Sequence, residues 1–213
     1  MEVTPFEVLL RQLIAHMKPT PEWASLALVF GINDQGMPVE SYGYAFVADG
    51  HGVKRHDLMV NDFIIVGPRA DPARLRDAPN AATALNRIAE TGAIFVSRGD
   101  DSGTHKKELA LWHSADLDPA GGGVGWYRES GSGMGATLNI AIGMDAHTLT
   151  DRATWVSFGN KGHHAILVEG DPALQNPYGV ILVNPEVHPG VRARDGQVFI
   201  DWLLSPTGQA AIA

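Results

Sequence analysis

Phe95-Val96-Ser97-Arg98-Gly99-Asp100-Asp101-Ser102-Gly103-Thr104-His105-Lys106-Lys107-Glu108 reads as a strand end running into a helix start. The apolar run over 93–97 predicts a short strand that delivers the Arg98 guanidinium at its carboxyl end, and a helix is expected over 103–113. Unpaired amides and the positive end of the helix dipole converge at such a junction, which suits it to hold an anion. Arg98 adds a planar, permanently charged fork of donors that fits oxyanions, and Ser97, Ser102 and Thr104 bring hydroxyls. The same residue types allow a plainer reading. Arg98 then pairs with Asp100 or Asp101, while Ser97, Ser102 and Thr104 only cap the turn and helix.

A second unit of the same kind follows. Trp126 to Glu129 reads as a strand, Gly131-Ser132-Gly133 as a turn, and the stretch from Met134 to Ile142 as a helix. The amides of Met134, Gly135 and Ala136 would open toward the same anion. Alternatively, the glycines serve a tight loop. The run lacks the Lys-Ser/Thr end of a nucleotide P-loop and the spacing of a dinucleotide fingerprint.

Ser97 to Glu108, Trp126-Tyr127 and Gly131-Ser132-Gly133-Met134-Gly135-Ala136-Thr137-Leu138-Asn139 together resemble the tungstate-binding protein family, the extracytoplasmic solute receptors of tungstate ABC importers. The resemblance extends through Asp49 to Val53, Asn61 to Pro68, Asp71 to Ala73 and Thr148 to Thr154. It implies an α/β protein of the type II periplasmic binding-protein class, in which two lobes close over the ligand. On that map residues 1–62 are an atypical, partial first lobe, 63–68 a crossing strand, 69–177 a nearly complete second lobe carrying the oxyanion-binding turns, and 178–213 the second crossing strand and the rest of the first lobe. Family members begin with a strand and a Thr/Ser-rich loop that the first 45 or so residues do not show, and they usually continue past Ala213. The first lobe is therefore expected to be truncated or rebuilt.

The implied function is capture of tungstate or molybdate by Ser97, Arg98, Ser102, Thr104 and the amides of Met134, Gly135 and Ala136, with presentation to an ABC permease. Location would be periplasmic or extracytoplasmic, although Met1 to Thr4 shows no signal peptide. The alternative is a divergent or truncated relative that works as a sensor or interaction module with weak or no oxyanion binding.

The remaining composition narrows the field. A chain of 213 residues with 45% apolar and 19% charged content can bury a core. No apolar run approaches the roughly eighteen residues that cross a bilayer. A net charge of -8 argues against nucleic acid or an anionic membrane as partner. Zero cysteines excludes disulfides and thiolate metal sites. His163-His164 lacks companions at ligand spacing, and no Ser/His/Asp set or evident general base accompanies Arg98, so neither a resident metal, a cofactor nor an enzyme is expected.

Elsewhere, Phe6 to Met17 reads as an amphipathic helix, Ser25 to Ile32 as a strand, Asn33 to Gly36 as a turn and Val39 to Val47 as a returning strand. Phe63 to Gly67 is a buried-type strand closed by Pro68. A helix over 80–90 follows, with Asn80 as cap and Gly92 past its end. Apolar strands are expected at 165–169 and 180–183, and helices at 198–204 and 209–213, the last introduced by Ser205-Pro206. This alternation predicts a largely parallel sheet.

Overall fold

The structure, a computed structural model, describes residues 26–29, 44, 46–119 and 125–212. The helix expected at 6–17 and the turn expected at 33–36 lie outside the described residues. The described chain groups into two compact units, one of residues 61–176 and one drawn from residues up to 60 together with 177–212.

The first of these units is organised by β2 (Gly52–Pro68), whose segment 63–68 is buried throughout. Successive strand residues face opposite ways. Phe63 and Ile65 accordingly join one apolar cluster with Leu85, Ile88, Phe95, Trp112 and Leu149, whereas Ile64 and Val66 join another with Met134, Leu138, Trp155 and Phe158. Burial on both faces explains why this stretch reads as a continuous apolar run.

Against the first face lies α1 (Ala81–Thr91), which turns Ala81, Ala84, Leu85 and Ile88 inward. Asn80 Oδ1 caps it by accepting the Thr83 amide at 2.8 Å, and Gly92 ends it. Ala93 still belongs to this helix end, because its amide donates to Ile88 O; the next strand, β3 (Phe95–Ser97), therefore starts two residues later than the apolar run suggests. Then come α2 (Gly103–Ser114), β4 (Tyr127–Glu129), α3 (Met134–Gly143), β5 (Thr148–Asp151), α4 (Arg152–Ser157) and β6 (His164–Val168).

The expectation of a largely parallel sheet is corrected here. β5 and β6 both pair with β2 antiparallel, with Val66 opposite Thr148 and Pro68 opposite His164. Parallel pairing joins β3 to β4, Phe95 opposite Tyr127 and Ser97 opposite Glu129, and an isolated bridge joins Phe95 to His147. A parallel neighbour requires a crossover, and α2 supplies one between β3 and β4.

The other unit contains β1 (Leu26–Val29) and β7 (Gln175–Val183), antiparallel with Leu26 opposite Leu182. Its core comprises Leu58, Val180, Leu182 and, from α5 (Ala193–Leu204), Phe199, Ile200 and Leu203. Pro206 opens α6 (Pro206–Ile212), as expected, with Ser205 Oγ taking the Gly208 amide at 3.1 Å. The returning strand expected at 39–47 is also corrected, because residues 44 and 46–48 are helical. Gly50, at φ 82°, takes the left-handed conformation that ends this helix, with its amide on Val47 O and the His51 amide on Phe46 O. Apolar β-branched and aromatic residues there read as a strand only while that terminating glycine goes unrecognised. The chain passes between the units within β2, after Val60, and within β7, after Asn176.

Ile88 is fully buried at the centre of the larger cluster. Ile88→Ala is expected to destabilise the unit of residues 61–176 by about 2–5 kcal/mol, read from denaturant midpoints.

Candidate functional site

The parallel pairing of β3 and β4 brings the two strand-turn-helix junctions side by side. Their turns are stitched directly together. The Ser130 amide donates to Ser97 O at 2.9 Å, the Ser132 amide to Arg98 O at 3.3 Å, and Ser130 Oγ to Arg98 O at 3.2 Å. Ser130 and Thr137 hydroxyls lie 2.8 Å apart, and Thr137 Oγ1 also donates toward Ser132 O and Gly133 O. Both α2 and α3 therefore begin at the same end of the strand pair, with their positive dipole ends adjacent.

The two helix starts differ in how they are capped. Ser102 Oγ accepts the His105 amide at 3.3 Å. Gly133 offers no side-chain acceptor, so the first-turn amides of Met134, Gly135 and Ala136 have no side-chain cap. Such amides are anion donors in waiting.

Arg98 stands at the end of β3, and its Nε at 3.1 Å and its Nη2 both donate to Asp100 Oδ2. The pair is largely shielded, with side chains 18% and 21% exposed. Burial pushes the Asp100 carboxyl up, but hydrogen bonds from Ser102 and the Arg98 guanidinium outweigh it and hold the carboxyl below its ordinary range. One arm of the plainer reading of Arg98 is thus present, and the same contact orients the guanidinium. Gly99 is required between them. It sits at φ 57°, and a Cβ there would approach the Glu129 side chain to 2.6 Å.

Ser97 is fully buried and lies beneath the turn, its Oγ accepting the Gly99 amide at 3.2 Å. Thr104 occupies the second position of α2 and is half-buried. His105 turns back over the turn, where Nδ1 accepts the Asp101 amide at 3.1 Å and Nε2 lies 3.9 Å from Glu129 Oε1. Lys106 pairs with Asp101 at 3.6 Å. Lys107 is directed elsewhere, donating to Gln175 O at 3.1 Å and lying over the Phe63 ring. Among the described residues no group of three or more His, Asp or Glu could hold a metal ion. Asp151 caps α4 through the Thr154 amide, and Arg152 bridges Asp62 and Glu169, which are structural contacts.

Sequence reasoning passed over the buried polar group under this site. Glu108 is 2% exposed and accepts from Tyr127 Oη at 2.8 Å and Trp112 Nε1 at 3.2 Å. Burial pushes its carboxyl up to about 7, partly offset by hydrogen bonding, that of Tyr127 foremost. The same burial, together with the Glu108 charge, pushes the Tyr127 hydroxyl up. A signal was there to be read. Glu108 shares a helical face with Leu111, Trp112 and Ala115, so an acid occupies an apolar-face position.

With this geometry in view, a family model described as a PBP superfamily domain matches residues 40–207. The structure of the tungstate ABC transporter from Geobacter sulfurreducens superposes with a TM-score of 0.74 at 38% identity, over 98% of this chain and 91% of that one. This chain belongs to the PBP superfamily, within its tungstate-binding protein family. It is also 46% identical over 169 residues to the tungstate-binding protein TupA of Peptoclostridium acidaminophilum, covering 78% of this chain and 58% of that protein. A third relative, a putative ABC transporter anion-binding protein of Haloferax volcanii, is 46% identical over 173 residues, covering 79% of this chain and 50% of that protein. The chain thus spans 50% to 60% of the length of the curated relatives it matches. These relatives are named for tungstate binding, anion binding or ABC transport and not for a catalytic activity. Among the described residues no helix is long and apolar enough to cross a membrane.

Glu108 has a consequence for stability. Its carboxyl is raised from 4.5 to about 7 on folding, so its stabilising contribution is complete below pH 4.5 and is lost as pH rises through 7. Glu108→Gln removes that loss. The variant is expected to gain on the order of 2–3 kcal/mol relative to the parent between pH 4.5 and pH 8, followed by denaturant unfolding at each pH.

Proposed function

We propose that this chain captures a tetrahedral oxyanion, tungstate or molybdate, at the paired junctions and serves as the extracytoplasmic binding component of an ABC importer. The observation that carries the reading is the side-by-side opening of two helix starts at the ends of parallel strands, with Arg98 directly following β3. In this reading Arg98, Ser102 and Thr104 donate from one junction and the amides of Met134, Gly135 and Ala136 from the other. Ser97 supports the turn from below. The relatives named for tungstate binding and for anion binding favour this ligand class over a nucleotide or an organic acid.

Asp100 has a definite part. It presents the guanidinium as a fixed fork, so an incoming anion meets an oriented donor in place of a freely rotating one. An oxyanion takes the place of water and is stabilised by the positive field that the helix starts already supply.

Calorimetric or thermal-shift titration with tungstate, molybdate, sulfate and phosphate tests the reading. Tungstate and molybdate are expected to stabilise the fold progressively with concentration, as mass action requires, and sulfate and phosphate much less. Absence of a shift with all four anions overturns it. Charge-assisted hydrogen bonds contribute roughly 1.5–3 kcal/mol each, so Arg98→Ala is expected to weaken tungstate binding at least about tenfold. Arg98→Lys restores it only in part, lacking the planar fork. Thr104→Val keeps the shape and removes a donor, so it lowers affinity more than it lowers the denaturant midpoint; a capping role predicts the reverse order.

A further inference from the structure

Glu108 lies one helical turn beyond Thr104 on α2, where side chains lean back toward the helix start. The described hydrogen-bond partners of its buried carboxyl are both neutral: the Tyr127 hydroxyl and the Trp112 indole. Neutral donors support a buried carboxylate less than a cation does. Glu108 is the i+4 neighbour of Thr104 on the same helix face, so a negative charge held by donors at the start of α2 acts on a buried carboxyl one helical turn away through a water-poor interior.

Resting on the oxyanion reading above, we propose that Glu108 is a proton-linked positioning residue of the site, whose carboxylate takes up a proton when a dianion occupies the turn. The balance is simple. One O–H bond forms at Glu108, the proton comes from solvent, and no other bond is made or broken. Because linkage is reciprocal, a dianion that favours the neutral acid must itself bind more tightly as pH falls through the range where Glu108 titrates.

The groups that surround Glu108 limit the alternatives. Tyr127 of β4 keeps its proton, since burial and the neighbouring carboxyl push it up. In the turn, Arg98 holds Asp100 ionised. Glu129 of β4 also acts by its charge on the Glu108 carboxyl and lies 3.9 Å from His105 of α2. A variant at position 108 separates their contribution from that of Glu108.

Isothermal titration of the full chain with sodium tungstate near neutral pH, in two buffers of different ionisation enthalpy, counts the protons taken up. The parent is expected to take up roughly half a proton per tungstate and to bind about three- to tenfold more tightly at pH 6.5 than at pH 8.5. Glu108→Gln is expected to abolish both the uptake and the pH dependence. Tyr127→Phe removes a donor that favours the carboxylate and is expected to move the midpoint of the pH profile upward. Tungstate binding with no proton uptake by the parent, or full uptake retained in Glu108→Gln, overturns the proposal and leaves the oxyanion reading standing. If neither parent nor variant binds tungstate, the oxyanion reading itself fails and this inference falls with it. Should Glu108→Gln not fold, uptake by the parent and the Tyr127→Phe shift decide the matter.

Discussion

The bonds that join the two turns, Ser130 N to Ser97 O and Ser132 N to Arg98 O, are the constraint on which the site depends. Separately, each junction is an ordinary strand-to-helix turn with a polar cap. Joined, they set two helix starts at a fixed spacing and hold the carbonyl of Arg98 so that its side chain leaves the turn in one direction. The parallel register of β3 and β4 makes the bonds possible, because Ser97 lies opposite Glu129 and the next residue of each chain continues in step. A slip of one position would face the side chains of β4 the wrong way and separate the turns.

That register rests in turn on β2. Residues Phe63 to Val66 are buried on both faces, and each face anchors a different set of helices. The face bearing Phe63 and Ile65 gathers α1 and α2, and the other gathers α3 and α4. The helix starts of α2 and α3 thus derive their positions from opposite sides of one strand. Under the proposed oxyanion reading, side chains that fill both cores would matter to recognition without approaching the anion.

Much of this was legible in the residues. Apolar runs bounded by Gly and Pro marked 63–67, 80–90 and 134–142 to within a residue or so, and Ser102 and Asn80 announced their helices as caps. The resemblance around Ser97 to Glu108 pointed to the tungstate-binding family and its periplasmic binding-protein fold. Other features were hidden for identifiable reasons. Strand direction is not encoded in apolar alternation, so the antiparallel pairing of β2 with β5 and β6 was missed. Helix and strand share the same apolar residues over short stretches, so residues 44 and 46–48 were misread, with Gly50 as the overlooked clue. That Ser97 is fully buried with its Oγ on the Gly99 amide is set by the fold and not by its neighbours in sequence. The polar set of Glu108, Trp112, Tyr127, Ser130 and Thr137 draws on three elements distant in sequence, and spacing alone cannot assemble it.

The hydrogen-bonded stitching has a further consequence for thermodynamics. Turn residues 97–102 and 130–133 are held by backbone, hydroxyl and carboxylate contacts that form when the chain folds, and the cysteine-free sequence adds no disulfide. The conformational entropy of these loops is given up during folding, and a ligand that arrives later meets donors already ordered. Loosening the stitching, for instance at Ser130 or Thr137, would transfer that ordering to the binding step. Its signature is a less favourable entropy of association at nearly unchanged contact chemistry, which makes heat and disorder, more than affinity alone, the quantities that distinguish a damaged scaffold from a damaged ligand shell.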